Sequence, residues 1–424
     1  MFIVLKKYKV HQGQSLVFTV HIRSSYMAKY QTVCLLLSEA VFGVPHEYAQ
    51  ETDWGAVYRE MAIHGVAGIP CDLIGDLPLD DGVREAWKRY CVNQQIYYQR
   101  IAATQTEVCT AFEETGIGYV VLKGMAAAMY YPVPGYRTMG DIDILIKEED
   151  LSGAEKVLWG LSFNRIRGIN DRHLNFRRND VELELHVKFA RSKDEAAEKV
   201  LNNYLMIGFE KRDKKMAGRS PFYVFPVEQN GMVILQHLRQ HLTEGIGLRQ
   251  VTDWMCFVNY SGLTDWSVFN EISRRAGLFT FQKVLTKMCE KYLALFKRED
   301  IAWCDEADDS VCDELMRFVL SRGNFGYKVK DGNLGGKIAS AGGIGGGFAR
   351  LQRGGMCRWE AVRRHPVLRP FAWLYQLIRV SGQFIRGEAS VNLKDDMQEA
   401  RSVIELVHQG QSLVFIVQKK YKVH

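Results

Sequence analysis

Asp141 and Asp143 stand two residues apart in Gly140-Asp141-Ile142-Asp143-Ile144-Leu145-Ile146, a short apolar run that reads as a β-strand. Side chains alternate along a strand, so the two carboxylates share one face while Ile142 and Ile144 pack behind them. Like charges held side by side repel, and a fold that keeps them there usually offers them a cation. Hard divalent ions such as Mg²⁺ take carboxylate oxygens and leave coordination positions for phosphates. This is the layout of a metal-dependent phosphoryl or nucleotidyl transfer site. An Asp-x-Asp pair alone also suits a solvated strand edge, so the reading depends on what surrounds it.

A further carboxylate comes from the segment that follows. His173-Leu174-Asn175-Phe176-Arg177-Arg178 and Val181-Glu182-Leu183-Glu184-Leu185-His186-Val187 both alternate as strands around an Asn179-Asp180 turn. Glu182, Glu184 and His186 then share a face, opposite Val181, Leu183, Leu185 and Val187. If this hairpin lies beside the Asp141 strand, one glutamate completes a three-carboxylate cluster able to hold two ions roughly 4 Å apart. Glu182 suits a solvent-facing charge at the strand start. His186 is open to two readings, a support for a metal ligand or a satisfied half-buried histidine. Upstream, Tyr119-Val120-Val121-Leu122 is an apolar strand, and Gly124 opens a helix expected over Met125 to Tyr131. A residue without a side chain lets phosphate approach a helix N-terminus; it also simply makes a tight turn. Lys123 and Arg137 are ordinary surface cations or, near a triphosphate, a point charge and a planar fork.

Taken together, Leu122-Lys123-Gly124, Tyr131-Pro132, Arg137, Gly140-Asp141-Ile142-Asp143 and Glu184-Leu185-His186 resemble the bacterial "uncharacterised nucleotidyltransferase" family of the polymerase-β-type superfamily. His237-Leu238-Arg239-Gln240-His241, Gly245-Ile246, Leu248-Arg249 and Asp253-Trp254 are similar to that family's helical half, so the likeness covers most of residues 27–330. The resemblance implies an α+β fold and a metal-dependent transfer of a nucleoside monophosphate from an NTP to a hydroxyl acceptor. Asp141, Asp143 and Glu184 would be the catalytic and metal-binding residues, for two Mg²⁺ or Mn²⁺ ions. Lys123, Gly124, Arg137 and Gly140 would bind nucleotide, and His186, His241, Arg249 and Asp253 would line the cleft. Two departures stand out: Lys123-Gly124 replaces the superfamily's usual Gly-Ser or Gly-Gly, and the third acid is Glu. The acceptor, whether small molecule, protein or RNA end, is not named by the resemblance. The alternative is a catalytically silent nucleotide-binding or toxin–antitoxin-type partner on the same fold. Asp143→Asn is expected to abolish transfer while leaving the fold intact or slightly stabilised, by relieving carboxylate repulsion.

Composition bounds the rest. The chain has 424 residues, 47% apolar and 25% charged, with a net charge of +6, as an ordinary globular protein of two or three domains would. That charge is compatible with nucleotide binding without arguing for it. The nine scattered cysteines form no Cys-x-x-Cys pair, suggesting neither zinc site nor disulfide framework and favouring a reducing cytoplasm. No apolar run approaches the ~20 residues of a membrane span. His237 and His241, four apart, lack the glutamate of a His-Glu-x-x-His zinc motif, since Leu238 stands there; a polar face toward the cleft is expected. Arg249 and Asp253, also four apart, are read with these histidines as that polar face or as a buried hydrogen-bonded network, with a simple helix ion pair as the plainer alternative.

Along the chain, residues 27–115 read as helical, 116–210 as a small mixed-sheet nucleotidyltransferase core, and 211–330 as a helical domain. Helices are expected over Asp81 to Glu114, Glu149 to Leu161, Pro226 to Leu242, Leu248 to Tyr260, Trp266 to Ala276 and Phe281 to Phe296. A Gly-rich loop at 331–356 fails the tests for a Walker or dinucleotide fingerprint, and 357–406 reads as a C-terminal helical segment. Val10 to Phe18 recurs unchanged as Val407 to Phe415; either the two termini pair as a small sheet or, the reading preferred, residues 1–26 and 407–424 are additions of non-native origin.

Overall fold

The computed structural model describes residues 30–324 except 167–172, 191, 193, 218–219 and 243–244. The terminal repeats, the Gly-rich stretch and the 357–406 segment lie outside the described residues. Three helices lead in: α1 (Gln31–Phe42), α2 (Trp54–Ile63) and α3 (Asp81–Glu114). Asp53 and Asp80 start α2 and α3 by accepting hydrogen bonds from the backbone N–H groups of Ala56 and Val83. The long α3 fits its sequence reading at both ends and serves two cores. Trp87 and Cys91, in its first half, pack with the helical half of the protein, whereas Ile101, Val108 and Phe112 pack under the sheet.

That sheet has five strands in the order β1 (Tyr119–Leu122), β2 (Ile142–Ile146), β5 (Val181–His186), β4 (His173–Arg178), β3 (Asn164–Ile166). β2 and β5 run parallel and the other pairs antiparallel, which makes the sheet mixed. The expected hairpin is present: Asn179 takes the left-handed conformation (φ 55°) that the β4–β5 turn requires. α4 (Gly124–Ala128) follows β1, and α5 (Leu151–Gly160) precedes β3. α4 stops short of its expected end at Tyr131, because Pro132 disfavours helix in the residue before it and the chain tightens into i→i+3 turns at Tyr130 and Tyr131.

Period-two alternation gives the sheet two chemically different faces. Tyr119, Val121, Ile142, Ile144, Leu183 and Leu185 join one apolar cluster with α3 and α5. Val120, Leu122 and Leu145 point the other way, toward the helices α7 (Val227–His241) and α8 (Leu248–Tyr260). Asp143 lies on this second face with Leu145, so the acids face the helical half.

Between sheet and helices, α6 (Glu195–Glu210) is followed by a hairpin, β6 (Asp213–Ala217) and β7 (Ser220–Val224), where only helices were expected. Phe222 and Val224 bury under β1, while the lysine-rich β6 carries little apolar signal. Three further helices close the described chain: α9 (Ser267–Arg275), α10 (Phe279–Tyr292) and α11 (Asp309–Arg322). Trp254, Phe257, Trp266 and Phe269 interlock between α8 and α9, mostly edge-on or tilted. No helix among the described residues is long and apolar enough to cross a membrane.

One expectation is corrected by packing. Cys71 and Cys91 form a disulfide, their Cα atoms 6.0 Å apart, because the chain between α2 and α3 folds back onto α3. Scattered spacing concealed a pair that only tertiary folding brings together, and the cysteine argument for a reducing compartment loses its basis.

Candidate active site

Register assembles the acids. The parallel β2–β5 pairing sets Asp143 opposite Glu184, and Asp141 precedes β2 on the same side. One oxygen from each of Asp141, Asp143 and Glu184 falls within a 4.8 Å span. Asp143 is buried (2% exposed), while Asp141 and Glu184 are half-buried toward the opening.

Lys123 balances these charges. Its Nζ lies 2.6 Å from Asp143 Oδ1, and His186 Nε2 lies 2.9 Å from the same oxygen. Burial alone would raise the Asp143 pKa, but the Lys123 ammonium and the His186 hydrogen bond hold its carboxyl below the ordinary value. Glu184 is held down in the same way against its burial, by His186 and then Lys123. Burial would lower Lys123 and His186, yet the facing carboxylates raise both. Lys123 sits at φ 44°, in the left-handed region that favours glycine. Such a conformation costs about 1–3 kcal/mol and persists where surrounding structure over-determines it. Its ammonium also lies 5.9 Å from the centre of the Phe189 ring.

These contacts correct the expected effect of Asp143→Asn. The buried carboxylate is the nearest counter-ion of Lys123 and a partner of His186, so neutralising it removes a favourable charge pair rather than only relieving a repulsion.

Gly124 is buried at φ 32°, where a side chain is strained, and a Cβ there would meet Met139 Cε at 3.5 Å and the Asp141 carbonyl at 3.7 Å. Arg137 is placed away from the expected phosphate-binding role. Its fork grips Asp253, with Nε to Oδ1 at 2.7 Å and one terminal nitrogen to Oδ2 at 2.8 Å, both residues buried. Burial would lower its pKa and the Asp253 carboxylate more than offsets that. Tyr131 donates to Asp253 Oδ1 as well, at 2.7 Å. Asp253 is therefore an anchor for the loop that carries the acids, not the i,i+4 partner of Arg249.

Arg249 instead donates to the Thr138 carbonyl at 3.2 Å, and a Cβ on Gly140 would stand 3.9 Å from its guanidinium. Gly140 is exposed at the entrance, its carbonyl accepting from Tyr97 at 3.2 Å. His237 and His241 stack edge-on, 4.5 Å between ring centres, on the α7 face near these cations. Burial, then Lys123, His241, Arg249 and Arg137, hold His237 well below the ordinary histidine pKa, so it is neutral. Glu182 is exposed and pairs with Arg177, as its position at the strand start suggested.

Sequence reasoning missed three supports. Gln94 on α3 holds both the Tyr136 carbonyl and the Thr138 hydroxyl, fixing the loop before Asp141. Tyr131 and His173 stood in recognised segments, beside Pro132 and at a strand start, but their partners, 122 and 11 positions away, respectively, had no readable signal.

Three carboxylates in one cleft, with Lys123 and Arg249 on its walls, suit a divalent cation and a polyphosphate. No curated protein matches the chain. Among solved structures, the chain is similar to the antibiotic-resistance factor ANT(2'')-Ia at 13% identity and a TM-score of 0.29, over 44% of this chain and 97% of that one. It is also similar to an antigenic nucleotidyltransferase-like protein from Paracoccidioides brasiliensis, at 12% identity and a TM-score of 0.31, over 47% of this chain and 95% of that one. The family model described as "Uncharacterised nucleotidyltransferase" matches residues 50–294, more than half of the chain and all of the cleft; the protein belongs to that nucleotidyltransferase family.

Proposed function

We propose that the protein transfers a nucleoside monophosphate from an NTP to a hydroxyl acceptor at the Asp141–Asp143–Glu184 cluster. The observation that carries this reading is the convergence of three carboxylates, two of them in register across parallel strands, beside a lysine. The donor set is all carboxylate oxygen, which fits Mg²⁺ or Mn²⁺. Asp141, Asp143 and Glu184 would hold the ion or ions. Bound there, a divalent ion polarises phosphoryl oxygens and neutralises developing charge.

The remaining work falls to the chain's own residues. Lys123 is a point charge at the cluster, positioned to pair with the leaving pyrophosphate. Arg249, on the opposite wall beside Gly140, adds a second cation toward the triphosphate. Glu184, half-buried on β5, orients the acceptor hydroxyl and accepts its hydrogen bond. Arg137 acts at one remove, by clamping the Thr138–Gly140 approach to α8 through Asp253. Catalysis then rests on positioning and charge neutralisation.

One observation favours a second reading. Lys123 is a close counter-ion to Asp143, at 2.6 Å, which a silent partner protein that binds nucleotide through the same site would equally use. Label transfer separates the two. The protein incubated with α-labelled NTPs, Mg²⁺ and pools of small molecules, RNA or proteins should label one pool and release pyrophosphate. Labelling of none, by a sample that still binds nucleotide, would favour the silent partner.

A further inference from the structure

Next to the carboxylate cluster, and sharing Glu184 with it, lie two histidines that nucleotide transfer leaves unused. His173 on β4 and His186 on β5 are direct partners in the antiparallel register, their rings 5.0 Å apart between centres. Glu184 stands two residues before His186 and so shares its face. Its carboxylate spans both rings: Oε1 is 3.7 Å from His173 Nε2, and Oε2 is 3.4 Å from His186 Nε2. One ligand atom from each of the three residues lies within a 4.8 Å span.

A tetrahedral ion with ligands at about 2.0–2.1 Å holds its ligand atoms about 3.3–3.4 Å apart. The two glutamate–histidine separations already approach that spacing, and a turn of the half-exposed His173 ring brings in the third. The ligand type differs from that of the neighbouring cluster. Three carboxylates suit hard ions, whereas two imidazoles and one carboxylate suit borderline ions, Zn²⁺ foremost. We propose that His173, Glu184 and His186 form a separate binding site for a divalent transition ion of the Zn²⁺ type, with one coordination position left open. Two of its three ligands, His173 and His186, lie outside the carboxylate cluster, so the site does not depend on which reaction the protein performs.

Its placement gives it a consequence. Glu184 belongs to both sets, so an ion on the histidine side and an ion on the Asp141–Asp143 side compete for, or share, one carboxylate. His186 Nε2 would leave Asp143 Oδ1 for the ion, while Lys123 keeps its hold on that oxygen. Occupancy of one site then alters affinity at the other, and reciprocally so.

The test uses the full, untagged chain stripped of metal. Zn²⁺ is titrated calorimetrically, and X-ray absorption of the Zn²⁺-loaded protein reports its ligands. We expect one Zn²⁺ per chain with imidazole scattering in its shell. His173→Gln should weaken it by at least about a hundredfold, more than the ten- to hundredfold lost with an outer-shell partner. Asp141→Asn should retain Zn²⁺ and lose Mg²⁺, and Glu184→Gln should lose both. A shell without imidazole, no stoichiometric Zn²⁺ on folded wild type, or unchanged affinity in His173→Gln would overturn the proposal. The absorption readout needs no variant to fold and no nucleotide, so its failure is separable from a failure of the transfer reading.

Discussion

At the residue scale, Asp141 and Asp143 differ in what their charge does for the protein. Asp143 is buried with Lys123 and His186 on one oxygen, whereas Asp141 is half-buried at the opening. Asp143→Asn should therefore lose about 3–5 kcal/mol of stability, the usual cost of breaking a buried pair from one side. Asp141→Asn should change stability by under about 1 kcal/mol, as substitutions outside a buried network do. Both should abolish transfer; urea unfolding of the two variants checks the contrast. His237 supplies a pH test. Its folded pKa lies well below the ordinary 6.5, so its contribution to stability is complete above that value. As pH falls below 6.5 the unfolded chain takes up a proton that the folded chain refuses, and stability declines toward the lower folded pKa. One such group accounts for at most about 1.4 kcal/mol per pH unit. Unfolding midpoints between neutral pH and about pH 5.5 should fall less steeply in His237→Gln; an unchanged slope would contradict a neutral His237. The acids themselves were legible in the sequence because alternation alone places Asp141 with Asp143 and Glu184 with His186. What alternation cannot report is a cross-strand partner, which is why the Lys123–Asp143 pair and the place of His173 emerged only from register.

At the scale of elements, the cleft is held by a clamp between the loop before β2 and α8. Arg137 and Asp253 are 116 residues apart, buried, and joined by two short hydrogen bonds, with Tyr131 on the same carboxylate. Asp253→Ala should lose about 3–5 kcal/mol, since Arg137 is left charged and buried. Arg137→Met with Asp253→Leu should recover most of that loss, because replacing both charges removes the stranded one. A double variant as unstable as Asp253→Ala would show that the clamp is not a simple ion pair. Sequence spacing suggested an Arg249–Asp253 pair within one helix, which the tertiary partner displaced. Elements with strong signals, α3, the β4–β5 hairpin and α8, were readable almost to their ends. The β6–β7 hairpin was not, because its lysine-rich first strand is exposed over 213–216 and only Phe222 and Val224 of the second join the core.

At the scale of the molecule, two apolar cores meet at the sheet, and the polar cleft opens on the face turned toward α7 and α8. Family membership and the α+β architecture follow from motifs spread over most of this region, so both could be anticipated. The Cys71–Cys91 link could not, since no local pattern marks two cysteines joined by a folded-back segment. The central claim is that the three acids form a metal-dependent nucleotide site. Calorimetric titration of wild type and Asp141→Asn with non-hydrolysable ATP, GTP, CTP and UTP analogues, each with and without Mg²⁺, tests it most directly. Binding of one nucleotide that requires Mg²⁺ and vanishes in folded Asp141→Asn is the predicted result. Binding that ignores Mg²⁺ and survives in Asp141→Asn, or no binding of any of the four to folded wild type, would contradict it.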